Sequence, residues 1–458
     1  MFYSKSVCVL SLLAAFCFAE AEPFRDGDTV VFFGDSITHH GPYLQYLANF
    51  YRTRYPERKI RLVNSGTGGD TASGALKRLP EDVAEYAPTC VALHFGMNDV
   101  NRGAYTRTTS AVQLRQRAEA QANFRNNLTR LVQAVKGVAP NARFIYLTTT
   151  PYDDTAVPTN IPPGASGWAT VNQVGCNGGL AQLAGHILAK AQTDGVTVVD
   201  WFSPLNNFVA KRRANNPHFM VTKWDRVHPG PLGHSIMAWS FLRAQHVSPV
   251  VSDVALNAAT GTVEKSENAV VTEVAVTEHG LTFTLAAKSL PFPVVPEALG
   301  VIQEFNVEET LNREVLAVKG LQPGEYALTI DGTEVGSWTA DAFAKGIRLG
   351  FNPKTPQYAQ AQEVAAENAR LWERECAMRN HHSARWFYFG RTNVDDVEAF
   401  AKWIEEKHET GYFAQFVPGY VAYWPHYREA RAQLLADQEK VYAQARPKPH
   451  RYAILRKP

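Results

Sequence analysis

The amino-acid sequence predicts an α/β protein, with a parallel sheet covered by helices over residues 22–250. It also predicts a small antiparallel β domain at residues 251–345 and a helical region at residues 346–458. Up to about residue 250, short apolar runs alternate with longer amphipathic runs. After that the pattern changes to period-two alternation, and helical spacing returns from Thr355. At 458 residues the chain also exceeds one typical hydrophobic core, so several domains are expected.

The first 21 residues have the pattern of an export signal. Lys5 supplies a positive charge, Val7–Phe18 is apolar, and residues 19–21 form a small-x-small cleavage site. The apolar run is shorter than the roughly 20 residues that a membrane span needs. We therefore expect cleavage after Ala21, a secreted or periplasmic protein, and no stable membrane association after cleavage. A retained N-terminal anchor is the alternative.

Within the first region, each apolar run predicts a buried strand and each amphipathic run predicts a helix. The predicted strands are Thr29–Phe33, Ile60–Asn64, Val91–Phe95, Phe144–Thr148 and Val196–Trp201. The predicted helices include Tyr43–Tyr55, Leu114–Val138, Leu180–Thr193 and Leu232–Leu242. Strands that alternate with helices form parallel sheets covered on both faces, and ligands bind at the carboxyl ends of such strands.

The later regions carry different signals. Val271–Val276 and Leu281–Leu285 alternate in period two, and Asp331-Gly332 predicts a hairpin turn. Apolar residues at helical spacing predict further helices at 357–379, 394–408 and 426–445. We expect the basic end of the chain, Arg446 to Lys457, to be a solvated tail.

Charge and cysteine content exclude some classes of protein. The net charge is +2, which argues against nucleic acid as a partner, because phosphate binding needs clustered basic surface. Three cysteines follow the predicted signal: Cys90, Cys176 and Cys376. This odd, low number excludes a disulfide scaffold, although the sequence leaves a pairing of Cys176 with Cys376 open.

The sequence predicts no metal site. It contains no Cys-x-x-Cys and no His-x-x-x-His, which are common spacings of metal ligands. His39-His40 and His381-His382 are adjacent pairs, and neighbouring side chains point apart on a strand or a helix.

Four segments carry the residue types that acyl transfer needs. The first three follow predicted strands and the fourth precedes the predicted helix Leu232–Leu242, so all four should meet at one edge of the sheet. The segments are Gly34-Asp35-Ser36-Ile37-Thr38, Asn64-Ser65-Gly66-Thr67-Gly68-Gly69-Asp70-Thr71, Gly96-Met97-Asn98-Asp99 and Asp225-Arg226-Val227-His228.

These segments predict a nucleophile with its base and its acid. Ser36 needs an adjacent base, which His228 can supply, and Asp225 lies three residues before His228 and can orient its imidazole. Asp35 should point away from Ser36 and hydrogen-bond the turn. Ser65 is a rival nucleophile, but no Asp/His pair is tied to it.

Acyl transfer also needs donors for the developing oxyanion. The Ser36 N–H and the Asn98 amide are candidates, and so is the backbone N–H of a glycine in the second segment. From the residues alone, Gly66, Gly68 and Gly69 compete for that last role.

With these motifs in this order, residues 28–245 resemble the SGNH (GDSL-type) hydrolase family. The family's Ser, Gly, Asn and His correspond to Ser36, Gly69, Asn98 and His228, and the resemblance selects Gly69 among the glycines. It implies a three-layer α/β/α, flavodoxin-like domain and a serine esterase that uses no cofactor. No Gly-x-Ser-x-Gly occurs, so the chain departs from the α/β-hydrolases.

The sequence says less about the substrate. Trp168, in a proline-rich loop, and Trp224, beside Asp225, are candidate substrate-binding residues, because aromatic faces suit sugar rings. We expect a secreted serine esterase that hydrolyses O-acyl esters, mainly O-acetyl esters on carbohydrate, through an acyl-enzyme. The alternatives are a lipase or thioesterase with the same chemistry, or a glycan-binding protein with an unused site. The oligomeric state is left open.

Overall fold

The structure is a computed structural model, and it describes residues 22–156, 158, 161–163 and 172–458. The predicted export signal lies outside the described residues. All of the strands and helices predicted for the α/β region lie within the described residues.

The first region is built on a five-stranded parallel sheet, as predicted. Its strand order is β2-β1-β3-β4-β5, the flavodoxin-like order. Every neighbouring pair runs parallel. The strands are β1 Thr29–Gly34, β2 Arg61–Gly66, β3 Cys90–His94, β4 Arg143–Leu147 and β5 Thr197–Val199.

Strand β1, which lies between β2 and β3, determines where the later segments begin. Its register with β2 and β3 sets Gly34 beside Gly66 on one side and beside His94 on the other. The three segments that follow these strands therefore start side by side at the carboxyl edge. This is also the point where the strand order reverses, and such crevices bind ligands in open α/β sheets.

Helices connect the strands of this region. The longest one begins three residues before its predicted start, because Ser110 and Gln113 form a capping box there. The helices are α1 Ser36–His39, α2 Tyr43–Arg54, α3 Leu79–Asp82, α4 Ala111–Val138, α5 Cys176–Asp194, α6 Phe202–Arg213 and α7 Pro231–Ala244. Between sheet and helices lies a core that includes the fully buried rings of Phe32, Phe33, Tyr43 and Trp201.

The β region contains two sheets. Their strand orders are β13-β10-β6-β7 and β12-β11-β14-β9-β8. Neighbouring strands run antiparallel, as predicted, except that β6 and β10 are parallel. The strands are β6 Val250–Asn257, β7 Thr262–Glu267, β8 Ala269–Thr277, β9 Gly280–Ala287, β10 Arg313–Lys319, β11 Glu325–Ile330, β12 Thr333–Thr339, β13 Ile347–Arg348 and β14 His450–Arg456. Short helices α8 Pro296–Leu299, α9 Val307–Leu311 and α10 Ala340–Lys345 connect them.

The basic end of the chain is not a solvated tail. Residues 450–456 form β14, which lies between β9 and β11 in the second sheet. Tyr452 and Ile454 are buried at 2% and 0% exposure, whereas Arg451 and Leu455 are exposed and Ala453 is half-buried. The sequence interpretation weighed the positive charges and missed this period-two pattern, whose apolar face completes the core of the β region.

The predicted helical region contains α11 Pro356–Tyr388, α12 Val397–Glu406, α13 Val417–Tyr423 and α14 Tyr427–Gln444. Helix α11 packs on α2 and on β2 of the parallel sheet. Buried polar contacts join the two regions: Arg52 donates to Asn368, and the Tyr442 hydroxyl bonds both the N–H and the carbonyl of Ile60. The helical region is therefore packed directly against the α/β region.

Two further features concern cysteines and membranes. Cys90, Cys176 and Cys376 are all buried and free, so Cys176 and Cys376 do not pair. Among the helices within the described part of the chain, none is long and apolar enough to cross a membrane.

Candidate active site

The turn after β1 presents Ser36 at the edge of the sheet. A side chain at Gly34 would put its Cβ 2.9 Å from the carbonyl oxygen of His94, so the close approach of β1 and β3 favours glycine here. Asp35 then caps α1, because its Oδ1 accepts the Ile37 N–H at 2.9 Å. Ser36 is the first residue of α1, and its own N–H has no partner within that helix.

Asp35 is fully buried, and its second carboxylate oxygen has no hydrogen-bond partner among the residues that the structure describes. Burial outweighs the hydrogen bond from Ile37 and raises the pKa of Asp35 to about 7. Asp35 therefore caps the turn and does not contact the base, which is the structural role the sequence suggested for it.

Ser36, His228 and Asp225 form a continuous hydrogen-bonded chain. The Ser36 Oγ lies 2.8 Å from Nε2 of His228. On the other side of the ring, Nδ1 lies 2.6 Å from Oδ2 of Asp225. The imidazole thus has one nitrogen toward the hydroxyl and one toward the carboxylate, the arrangement that a nucleophile, base and orienting acid require.

A tight loop brings Asp225 and His228 together. Oδ1 of Asp225 accepts the N–H groups of Val227 and His228 at 3.0 and 2.9 Å. Between them Arg226 has φ +67°, a strained value for a residue with a side chain. Its guanidinium donates to the carbonyl of Asp153 at 2.8 Å, and the Asp153 N–H donates back to the Arg226 carbonyl.

The environment of Asp225 favours its charged form. Burial opposes ionisation, but the hydrogen bond and charge of His228 and the two backbone N–H donors outweigh it and lower the pKa of Asp225. An ionised Asp225 holds the proton of the imidazole on Nδ1 and leaves Nε2 free to accept from Ser36.

The candidate oxyanion donors lie on the two neighbouring segments. Gly69 has φ +71°, a conformation that glycine adopts without strain. The Asn98 amide donates one hydrogen to the Asp70 carbonyl at 2.8 Å, and its oxygen accepts from Arg102 at 3.2 Å. The second hydrogen of the Asn98 amide can serve a ligand.

Hydrogen bonding separates the three competing glycines. The Gly66 N–H donates to Oδ1 of Asn64 at 3.0 Å, and the Gly68 N–H donates to Oγ of Ser383 at 3.3 Å. No hydrogen bond from the Gly69 N–H occurs within the described part of the chain. The contacts therefore favour Gly69 as the donor.

Three other candidate residues from the sequence, Ser65, Trp224 and Trp168, have different outcomes. Ser65 is fully buried and donates to the Asp82 carbonyl at 2.7 Å, so it is not a nucleophile. Trp224 is half-buried beside Asp225. Trp168 lies outside the described residues.

The His39-His40 pair differs from expectation. At the end of α1 the two rings stack with centroids 3.7 Å apart, whereas adjacent side chains were expected to point apart. Their Nε2 atoms face the Cys376 carbonyl and the Asn380 amide oxygen of α11, each at 3.2 Å. Across the described ranges, no group of three or more His, Cys, Asp and Glu side chains could hold a metal ion.

The sequence interpretation missed Arg78, which joins the segments behind the site. Its guanidinium is fully buried and donates to the carbonyls of Gly34 and Ser65 at 2.7 and 2.6 Å. It also forms ion pairs with Asp70 and Asp82 at 2.6 Å. The only local signal was that Lys77 and Arg78 precede Glu81 and Asp82 by four residues, which a solvated face explains equally well.

A polar groove adjoins the candidate site and shares Asn98 with it. Its volume is about 250 Å³. One face of α4 supplies side chains at three- and four-residue spacing, and amide groups dominate the wall. The lining residues are Thr71, Asn98, Asp99, Asn101, Gln116, Glu119, Ala120, Asn123, Phe124 and Asn127.

Comparisons with known proteins agree with this geometry. The chain is 27% identical to an acetylxylan esterase from Geobacillus stearothermophilus over 232 residues, which is 47% of this chain and 93% of that protein. Among solved structures, a gut microbial diltiazem-metabolizing enzyme matches 96% of this chain and 99% of its own, with a TM-score of 0.84 and 27% identity.

The family model for GDSL-like lipases and acylhydrolases matches residues 32–236, which include all four motif segments. These residues belong to the GDSL-like lipase/acylhydrolase (SGNH) family, and this part of the chain is an SGNH-type esterase.

Proposed function

We propose that this protein hydrolyses O-acetyl esters of carbohydrates through an acyl-enzyme formed on Ser36. The observation that carries the proposal is the hydrogen-bonded chain from Asp225 through His228 to Ser36. Such a chain converts a weak hydroxyl nucleophile into one that can attack an ester at neutral pH.

In the first half of the reaction, Oγ of Ser36 attacks the ester carbonyl while Nε2 of His228 takes its proton. The carbonyl oxygen becomes an oxyanion, held by the N–H groups of Ser36 and Gly69 and by the Asn98 amide. Collapse of this intermediate breaks the bond to the alcohol, which receives the proton from Nε2. The acyl group stays on Oγ.

In the second half, water replaces the alcohol. His228 takes a proton from the water as it attacks the acyl carbonyl, and the same donors hold the second oxyanion. Collapse releases the carboxylic acid and returns the proton to Ser36. Asp225 remains ionised throughout and stabilises the imidazolium.

The polar groove supports a carbohydrate as the alcohol part of the ester. Amide side chains donate and accept, so they match the mixed donors and acceptors of sugar hydroxyls. Asn98 belongs to both the groove and the candidate oxyanion site, so a sugar bound in the groove would lie next to the reacting carbonyl. The relative named as an acetylxylan esterase points the same way.

The surroundings also favour a short acyl group. Thr67, Asp70 and Asn101 are polar residues close to the candidate donors, and a long chain gains about 0.8 kcal/mol per methylene only where apolar wall buries it. We therefore expect acetyl esters to be better substrates than octanoyl esters.

One observation favours a second candidate, the ester of a small non-carbohydrate molecule. The diltiazem-metabolizing enzyme matches nearly the whole chain, including the β and helical regions, whereas the acetylxylan esterase matches 47% of it. If the β and helical regions contact the alcohol part of the ester, that alcohol need not be a sugar.

Export is part of the same proposal, because a polymeric carbohydrate outside the cell is too large to cross the membrane to reach an enzyme inside. The pattern of residues 1–21 supports it. N-terminal sequencing of protein recovered from the medium or periplasm should begin at Glu22, and an intact N-terminus on membrane-bound protein would contradict export.

The deciding experiment compares purified residues 22–458 on acetylated xylo-oligosaccharides, an aryl acetate, and octanoyl esters. The sugar acetate should have the highest kcat/KM. Asn123→Ala, in the groove, should lower kcat/KM for the sugar and leave the aryl acetate unchanged. Asn126→Ala is the control, since Asn126 is exposed on the same helix outside the groove.

Each result separates the alternatives. A preference for octanoyl esters would favour a lipase or thioesterase. Equal rates on sugar and aryl acetates, with no effect of Asn123→Ala, would favour the small-molecule ester. Full activity of Ser36→Ala on every substrate would refute the acyl-enzyme.

A further inference from the structure

Helix α11 contacts three successive residues of the loop that carries Gly69. The Arg379 guanidinium donates through Nε to the Gly66 carbonyl and through Nη2 to Oγ1 of Thr67, both at 2.9 Å. One turn later, Oγ of Ser383 accepts the N–H of Gly68 at 3.3 Å. Gly69, the candidate oxyanion donor, is the next residue.

The loop Gly66–Gly69 has few hydrogen bonds that fix its shape from within the α/β region. Gly66, Gly68 and Gly69 make three of its four residues glycine, and glycine loses more conformational freedom on ordering than any other residue. Its internal support is a turn in which the Asp70 N–H donates to the Thr67 carbonyl at 3.3 Å. The contacts from α11 therefore supply much of what fixes the direction of the Gly69 N–H.

The two anchoring side chains are themselves fixed. Arg379 and Ser383 are 3% and 2% exposed. Arg379 is bound to Asp82 through two hydrogen bonds of 2.6 and 2.8 Å. Oγ of Ser383 also lies 3.4 Å from Nδ1 of His39, at the end of the helix that begins with Ser36.

A further contact comes from beyond α11. The ring of Phe413 would lie 3.8 Å from a Cβ built on Gly69, so it covers one side of that residue. Phe413 in turn stacks on Phe387 of α11, with ring centroids 4.4 Å apart.

We propose that the C-terminal helical region is part of the catalytic apparatus, in which Ser383 and Arg379 are positioning residues for the Gly69 N–H. This rests on the proposed function, because it assumes that Gly69 stabilises the oxyanion. It gives the helical region a task that residues 32–236 do not perform alone.

Ser383→Ala tests the proposal. The variant keeps the Gly69 N–H as a chemical group but removes the hydroxyl that accepts the N–H of the preceding residue, Gly68. Since misplacing a catalytic group by about 1 Å can cost up to ~100-fold, we expect kcat to fall about tenfold. KM should stay within about twofold, because the donor acts mainly in the transition state.

Three companions separate positioning from general damage. Ser383→Thr keeps the hydroxyl and should recover most of kcat. Thr67→Val removes the acceptor of Arg379 on the loop side at nearly constant shape, and should also lower kcat rather than raise KM. Ser289→Ala is the control, because Ser289 is equally buried and bonds the Arg54 carbonyl far from the site.

The pH dependence of kcat/KM should keep its shape in Ser383→Ala, because His228 is not touched. Inactivation by a fluorophosphonate, whose P=O oxygen uses the same donors, should slow in parallel with kcat. Wild-type kcat in both Ser383→Ala and Thr67→Val, or an effect confined to KM, would overturn the proposal. Failure of the proposed function would instead appear as activity in Ser36→Ala.

Discussion

Arg379 and Asp82 form a buried ion pair between α11 and α3, with side chains only 4% and 1% exposed. The Asp82 carboxylate also forms an ion pair with Arg78. One anion therefore links the two guanidinium groups that hydrogen-bond the loops behind the site. Burial opposes the charge of Asp82, but the two guanidinium groups outweigh it and keep its pKa well below the usual range.

Arg379→Met should therefore destabilise the protein by about 3–5 kcal/mol, since it leaves a buried carboxylate with less compensation. Urea denaturation measures this. Arg61→Met is the matched control, because the bridge from Arg61 to Glu439 joins the same two regions but is 47% and 36% exposed. It should cost at most about 1 kcal/mol. Equal losses in the two variants would show that burial of the pair is unimportant.

Ser36→Ala and His228→Ala should each lower kcat by at least about 10³-fold. Because the two residues act as one unit, the double variant should be no slower than either single variant. The melting temperature should change little, since both side chains reach the solvent edge of the sheet. Losses that multiply in the double variant would argue against a shared step.

Asn98→Ala should lower kcat by about 10²–10³-fold with little change in KM, the signature of an oxyanion donor. The variant also loses the hydrogen bond to the Asp70 carbonyl, which should cost about 1 kcal/mol of stability. Kinetics and thermal melting on the same sample separate the two effects. An increase in KM alone would assign Asn98 to ground-state binding.

Glu314→Gln should stabilise the protein, and increasingly so as the pH rises from about 4.5 to about 7. Glu314 is 2% exposed, and burial raises its pKa to about 7 against the weaker effects of Gln357 and Arg54. Between these pH values the folded state keeps a proton that the unfolded state has released. The free energy of unfolding of the wild type therefore falls with rising pH, by at most about 1.4 kcal/mol per pH unit for one proton.

The glutamine cannot ionise, so the free energy of unfolding of the variant should not decrease with rising pH in this way. Denaturation at pH 5, 6, 7 and 8 gives the difference between variant and wild type at each pH. Glu325→Gln, at the exposed start of β11, is the matched control. A difference between Glu314→Gln and wild type that stays constant with pH would mean that the pKa of Glu314 is not raised.

The sequence predicted the parallel sheet and the four motif segments because their signals are local. Each of the first three segments stands where an apolar run ends, and Asp225 is three residues from His228. The choice among Gly66, Gly68 and Gly69 needed the family resemblance, since their difference lies in which N–H is already bonded.

The contacts from α11 could not be predicted in this way. Ser383 and Gly68 are 315 residues apart, and a helical pattern records the apolar face without naming its partner. Arg379 looks like one more charge on an amphipathic helix, although it is among its most buried residues. Likewise, β14 was missed because its several charged residues suggested a solvated tail, although Tyr452 and Ile454 are buried.

The position of β14 has a consequence for synthesis. It lies between β9 and β11, and Arg451 bonds Asp331 from 120 residues away along the chain. While a ribosome is still making α11 to α14, the sheet has a gap, and β9 and β11 each present an open edge to other chains. We expect this sheet to close only after residue 456 has left the exit tunnel, so that nascent protein depends on chaperones more than its finished form does.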